Sequence, residues 1–508
     1  MPSNSGGVVH VRLESEDFST STLEIAQLKG EERLMGLFWF DLDMVEVGGL
    51  GTTLATLSDT MGEALGSRAT LVFEENGQTI RQLHGMICEV DESVDPRPNK
   101  QAEAGAFRMR FVPRAHSLSL VEIHEVFLGM TIPQIITEKL GRIGLAAGTD
   151  VVLNVAGTYP VREFVVQYKE TDLAFITRLC EHYGITYYFE HEDGVDKMVF
   201  VDDQAGFDTI AAHAIASGSG NTVIKELRSK RRVVQSSRLV TDYNPSNPQV
   251  DLRQNATVAS GTDGGVVELV TKFKSPDQGT KLAGIRAEQT EAHHVVLYGK
   301  SGSPAFRAGV IVSVSDAPTL EDSTLLLTRV AHHVVQAEGL MGGGHSEAYE
   351  NSFDGTRGAT QYRPPFATPR PRVHGVVTAF IEEYLATGRY AVMDDRGRYW
   401  VRFEFDASET TPKHSLPVRM LQPHAGPFYG THLPLKPGTE VMVTFLDGDV
   451  DRPVIVGAVP NDLTHSPVNR SNYQINKLMK TETGIVIEAR DVWEPDDAGH
   501  YQQRPETT

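Results

Sequence analysis

Cysteine is almost absent. Cys88 and Cys180 are the only two in 508 residues, and no CxxC pair exists. That excludes a zinc ribbon or a disulfide-framed domain, and it leaves both thiols reading as small buried apolar groups. Long apolar runs are also missing, since no stretch approaches the roughly 20 residues needed to span a bilayer. The start, MPSNSGGVVHVRLESEDF, lacks the basic head and apolar core of a signal peptide. The expectation is folding in the cytoplasm, no stable membrane insertion, and release without Sec-type export. Positive charge is scarce as well. Lys and Arg total 47 against 67 Asp and Glu, for a net charge of −20. Nucleic-acid binding needs clustered cations that displace counterions, so this balance argues against such a partner. The one dense basic run, Lys225 to Arg238 (KELRSKRRVVQSSR), reads as a solvated strand or loop.

Catalytic and cofactor motifs are missing too. There is no GxSxG elbow and no HExxH. Gly299-Lys300-Ser301 ends like a phosphate loop, but His294 stands where the first glycine belongs, so it reads as a turn after a strand. Gly342-Gly343-Gly344 has the wrong spacing for a dinucleotide loop. The pairs His293-His294 and His332-His333 each open an apolar strand pattern, which sends adjacent rings to opposite faces and argues against a shared metal. Asp41 with Asp43 and Glu190 with Asp193 are carboxylate pairs, but they sit at strand or turn positions where solvation suffices. The reading is no catalytic residue, no cofactor and no metal.

What the sequence has in quantity is short alternating runs closed by turn residues. With 46 glycines and 26 prolines, the pattern is mainly β with minor α. Val441, Val443 and Phe445 share one strand face. Leu446-Asp447-Gly448-Asp449 turns the chain, and Val454, Val456 and Ala458 return. Upstream, Asp394 to Arg398 turns between Tyr390–Met393 and Tyr399–Phe403. About five short strands in under a hundred residues suit a small closed barrel such as an OB-fold. Helical spacing appears near 132–140, with Thr131 as N-cap, and from Asp172 to His182, closed by Gly184. A strand pair at 185–190 and 197–202 follows. Lys281–Ala292 reads as one surface helix. Four prolines between Arg363 and Arg372 make a stiff extended connector. After Asn461 the chain turns polar, apart from one short apolar strand at 483–489.

These residues carry a resemblance. GTHLPLKPGTEVMVTFLDGDVDRPVIVGAVPN is similar to the OB barrel of the VgrG family, the trimeric spikes of bacterial type VI secretion systems. DDRGRYWVRFEFD resembles that family's preceding hairpin, YRPPFATPRPRVHGVVTAFI its Pro-rich approach to the barrel, and FVVQYKETDLAFITRLCEHYGITYYFEHEDG a segment of its hub.

The resemblance implies a hub at 1–365 with two barrel-like subdomains and a helix–hairpin insert near 164–202. An OB-fold domain would follow at 366–461, and a tail at 462–508 that opens a β-helix. Gly397, Gly430, Gly438 and Gly448 would turn the barrel. Ile485, Val486 and Ile487 would form a tip-docking strand. It further implies a homotrimer without catalysis, joined to an Hcp-like inner tube protein, baseplate proteins, a PAAR-type tip protein and effector cargo. The short tail implies a truncated needle with no toxic extension. A cargo-carrying spike is the alternative, and a peptidoglycan-cleaving enzyme or an oligonucleotide-binding barrel are weaker ones. Type VI systems, extracellular injection particles and phage-like bacteriocins share these motifs, so the sequence leaves the system open.

Overall fold

The computed structural model describes residues 9–46, 62–93, 106–215, 223–269, 271–315, 324–336, 348–382, 390–407, 417–471, 476–495 and 501–507. The chain divides into two compact units. The loops expected near 95–100, 217–221 and 338–345 lie outside the described residues.

The first unit is built on a continuous sheet of twelve strands. Six of them run in the order Val9–Glu14, Arg68–Glu75, Gln78–Ser93, Ala106–Val112, Trp39–Glu46 and Leu23–Arg33. The sheet continues through Thr324–Val335, Val310–Ser315, Asp208–Ile215, Val223–Arg231, Val295–Ser301 and Ala348–Arg357. The last strand pairs back onto Thr324–Val335, so the second set closes into a six-stranded barrel. Thr324–Val335 is the joining stave. Its start pairs with Val310–Ser315 and its end with Leu23–Arg33. Alternation explains both six-stranded sets, because inward residues such as Leu28, Phe40, Leu42 and Phe111 in the first and Leu297, Val310, Val312 and Leu325 in the second are buried. Gly299-Lys300-Ser301 is the end of the strand Val295–Ser301, so the expected turn is a continuous barrel strand.

Two helical inserts decorate this unit. Ile132–Arg142 is capped by a Thr131–Gln134 box, and Asp172–Tyr183 by Thr171, with Gly184 at φ 70 ending it. The hairpin Thr186–Glu192 and Val195–Val201 follows, with Val151–Asn154 parallel to its second strand. The third helix corrects its expectation. It runs Pro276–Ala292, starts at the Ser275 cap, and buries Leu282, Ala283, Ile285, Arg286 and Gln289 rather than lying on the surface. His293 and His294 sit at its C-terminus, not in a strand, and bond the carbonyls of Gln289 and Arg232. His332 and His333 do alternate: His332 is buried and His333 exposed.

The second unit holds a five-stranded sheet in the order Val401–Phe403, Val376–Ile381, Glu440–Phe445, Pro453–Ala458 and Arg419–Met420. Val441, Val443 and Phe445 face its core as expected. The returning strand is out of phase with the expectation. Ile455 is the buried residue and Val456 is 41% exposed. Val456 is the extra residue of a bulge, since Met442 faces Gly457 and Val443 faces Ile455, and a shift of one in a strand swaps faces. The unit also takes in His124–Leu128 and Glu163–Tyr168, far upstream in sequence. Phe164 and Val166 belong to its core, and the Val166 amide donates to the Asp451 carboxylate at 2.8 Å. Three antiparallel strands, Asn476–Lys480, Val486–Pro495 and Tyr501–Thr507, replace the single strand expected after Asn461.

Candidate functional site

The densest polar chemistry lies inside the first unit, beside the joining stave. Glu32, Arg81 and His332 come from three strands and are joined by Tyr349 and Asn351 from a fourth. Arg81 Nη2 donates to Glu32 Oε1 at 2.5 Å, and Nη1 donates to the carbonyls of Pro304 and Phe306, each at 3.1 Å. His332 Nε2 stands 3.1 Å from the same carboxylate oxygen. Asn351 donates to the Tyr349 hydroxyl at 3.1 Å, which sends the Tyr349 proton to His332 Nδ1 at 2.7 Å. His332 is then neutral, with its Nε2 proton toward Glu32. Burial pushes Glu32 upward, but Arg81 and His332 outweigh it and hold the carboxyl down at about 2. Burial lowers His332. The buried pair Glu32–Arg81 with His332 ties three strands of the sheet together at one carboxylate oxygen.

A second polar cluster clamps the Pro-rich segment. Gln289 Nε2 donates to the Pro364 carbonyl at 2.8 Å. The Thr368 amide and hydroxyl donate to the Glu181 carboxylate at 3.1 and 2.8 Å. Phe366 packs against two guanidinium groups, Arg286 at 4.3 Å and Arg370 at 4.7 Å from its ring centre. Both arginines also approach His182 Nδ1, at 3.2 and 3.1 Å. Up to Arg370 the connector is therefore bonded along its length to the first unit.

The carboxylate pairs considered from sequence do not meet as acid and base. Asp41 bonds Arg110 at 2.7 Å and Asp43 bonds Arg108 at 2.8 Å. Glu190 accepts from Tyr188 at 2.9 Å, and Asp193 from Lys197 at 2.8 Å. Cys88 and Cys180 are free thiols, and burial raises both. Among the described residues, no three His, Cys, Asp or Glu side chains gather as a metal set. Nor is any helix there long and apolar enough to cross a membrane.

Gly397, Gly430, Gly438 and Gly448 all take positive φ, at 72, 145, 74 and 70°. Gly430 differs from the other three in its place, a small separate hairpin of Ala425–Gly426 and Tyr429–Gly430. Val486 and Ile487 lie in the tail sheet, at 39% and 43% exposure. Ile485 precedes that strand and is 60% exposed. The Glu32–Arg81–His332 junction was not foreseen. Its only sequence trace is a polar residue at an inward position of an alternating strand.

A family model described as phage tail baseplate hub (GPD) matches residues 31–338, more than half the chain and most of the twelve-stranded unit. The chain belongs to the phage tail baseplate hub family. A second model, the type VI secretion system/phage-baseplate injector OB domain, matches residues 390–459 of this hub protein. Among relatives, the type VI secretion system spike protein VgrG5 of Pseudomonas aeruginosa is 27% identical over 481 residues, 91% of this chain and 58% of the relative. Spike protein VgrG4b of the same species is 30% identical over 86% of this chain and 54% of the relative. The actin cross-linking toxin VgrG1 of Vibrio cholerae is 25% identical over 84% of this chain and 39% of the relative. The chain thus spans little more than half the length of the first two. In fold it is similar to the E. coli c3393 protein, a component of the type VI secretion system. Their TM-score is 0.65 at 22% identity, with 88% of this chain and all of that one covered. It is also similar to a chain of a lidless PdpA–VgrG complex, with a TM-score of 0.59, 7% identity and 98% of both chains covered.

Proposed function

We propose that this hub protein is the structural hub and spike of a contractile injection machine, working as a homotrimer and without catalysis. One observation carries the reading. A single chain holds two six-stranded sets of one continuous sheet, joined where Leu23–Arg33 pairs with Thr324–Val335. Three chains would set six such six-stranded sets round one axis, the number a six-fold inner tube presents. The OB domain and tail sheet would meet a tip protein, and sheath contraction would drive the assembly outward. The inner tube protein, baseplate proteins and a PAAR-type tip protein are the partners of this reading. Assembly in the cytoplasm and release with the apparatus follow from it. The polar clusters support a mechanical role, because their bonds brace strands of the first unit and hold the connector. Light scattering of the purified chain tests the reading: it should give about three times 55.8 kDa. Electron microscopy should show a ring that seats on an Hcp-like tube hexamer. A folded monomer at micromolar concentration that ignores the tube overturns it.

The second reading, a spike whose tail docks cargo or a tip adaptor, has its own observation. Leu478, Ile485, Val486 and Ile487 are exposed at 69%, 60%, 39% and 43% on or beside the tail sheet. Deleting 476–508 should leave a trimer and abolish tip-protein or effector binding. Monomers after the deletion would make the tail the trimerisation element instead.

A further inference from the structure

The most exposed large apolar side chain among the described residues is Phe428, at 109% of its reference area. It stands at the tip of the small hairpin Ala425–Gly426 and Tyr429–Gly430. Its backbone is left-handed, at φ 62°, a conformation that glycine or asparagine adopts far more easily than phenylalanine. The hairpin is a built object. Gly430 sits at φ 145°, and a Cβ there would meet the His424 carbonyl oxygen at 2.4 Å. A Cβ on Gly426 would meet the Tyr429 ring at 2.2 Å, so Tyr429 folds back over its own turn. His424 and Tyr429 rings lie 5.4 Å apart, and the Thr431 amide closes onto the His424 carbonyl at 2.9 Å. Two glycines and a folded-back tyrosine thus hold a turn whose effect is to project one phenyl ring into water. Backbone strain at an exposed aromatic is retained where the side chain has work to do.

The surroundings indicate the occupant. From Met420 to Leu435 there is no Asp, Glu, Lys or Arg, although the chain as a whole carries a net charge of −20. A second copy brings the same −20, so close approach is favoured where neither copy presents charge. Leu421 and Leu433, exposed at 61% and 52%, belong to the same uncharged segment. A buried aromatic contributes about 200 Å² of contact and commonly anchors an interface.

We infer that the Phe428 hairpin is an anchor between copies of this chain, its ring packing on the uncharged Met420–Leu435 segment of the adjacent protomer. The inference rests on the trimer reading above and assigns it a residue.

Phe428→Gly separates the ring from the backbone, because glycine takes φ 62° without strain. Sedimentation velocity over a concentration series should show the full-length variant assembling at tenfold or higher concentration than wild type. Its circular dichroism should be unchanged, which shows that the protomer still folds. Hydrogen exchange on the wild type should show the amides of Phe428 to Gly430 slowing as trimer forms. A variant that assembles like an assembling wild type overturns the anchor and leaves the trimer standing, as do unprotected amides in a wild-type trimer. A variant that self-assembles normally but loses the tip protein assigns the hairpin to that partner and overturns the second-copy assignment. A wild type that stays monomeric at every concentration overturns the trimer reading and the anchor together.

Discussion

Gln336 donates through its side-chain Nε2 to the backbone carbonyl oxygen of Val11 at 2.9 Å. The same nitrogen reaches the Ile25 carbonyl at 2.6 Å, the Gln336 side-chain oxygen accepts from the Val11 amide, and the Gln336 amide donates to the Ala26 carbonyl at 2.9 Å. Val9–Glu14 and Leu23–Arg33 have no ladder between them. One carboxamide stands in for a rung at the place where Thr324–Val335 leaves the edge of Leu23–Arg33, and it joins the ends of the first six-stranded set. A primary amide suits this post because it donates and accepts at once, as a peptide group does.

Gln336→Leu should therefore destabilise the first unit by about 1–3 kcal/mol, because it leaves seam amides and carbonyls without partners. Gln336→Glu should not restore it, since a carboxylate cannot donate to Val11 and Ile25. Thermal unfolding of both variants checks this. Wild-type stability in either one would mean that water closes the seam equally well.

The Asp447-Gly448 turn offers a second test, in the OB domain. Gly448 has φ 70°, and a Cβ there would lie 3.3 Å from the Val373 carbonyl oxygen. Gly448→Val combines left-handed strain with that close approach and should cost about 1–3 kcal/mol. Chemical denaturation of the full chain, followed by a probe in the OB domain, reads the loss. An unchanged midpoint rejects the turn as described.

Release of the connector is a third. Glu181→Ala removes the acceptor of both Thr368 bonds, and Phe366→Ala removes the ring packed against Arg286 and Arg370. Limited proteolysis should cut the 363–370 segment several-fold faster in each, with melting lowered by about 1–3 kcal/mol. Cleavage at wild-type rates would show that the prolines alone hold the strap.

Acid should weaken the hub through its histidines. Burial lowers His182, His213, His293 and His332, and holds His191 down at about 3. A histidine lowered in the folded state stays neutral there while the unfolded chain protonates near 6.5. The stability it contributes is full above about pH 6.5 and is lost as pH falls from there toward the folded value. Between pH 6.5 and 5 each such group steepens the loss by up to about 1.4 kcal/mol per pH unit. Glu32 adds its own loss lower down, between about 4.5 and 2. Melting temperature measured from pH 7.5 to 5 should fall, and His191→Phe should flatten the curve. A flat wild-type profile over that range would place these rings in contact with solvent.

The sequence by itself determined the β-rich class, the helix at Asp172–Tyr183 with its Thr171 cap and Gly184 stop, and the inward face of Val441, Val443 and Phe445. Each follows from a period of two or 3.6 residues and from turn chemistry, which are local properties. It also carried the family likeness, because the OB segment's turn glycines and alternating strand fall in one uninterrupted run. What it could not supply depended on residues far apart in the chain. The bulge at Val456 put Ile455 rather than Val456 in the core, and bulges leave no signature in alternation. Lys281–Ala292 read as a surface helix, yet the helix Pro276–Ala292 buries Arg286 and Gln289, because these polar groups find partners at Glu268, His182 and Pro364 that only the fold brings near. Phe164 and Val166 joined the OB core across some two hundred residues of intervening chain, a contact no window can contain. Gln336 looked like any polar residue at a strand end. Only tertiary structure gave it two strands to bridge, since a hydrogen bond is fixed by where both partners lie, while periodicity describes one partner at a time.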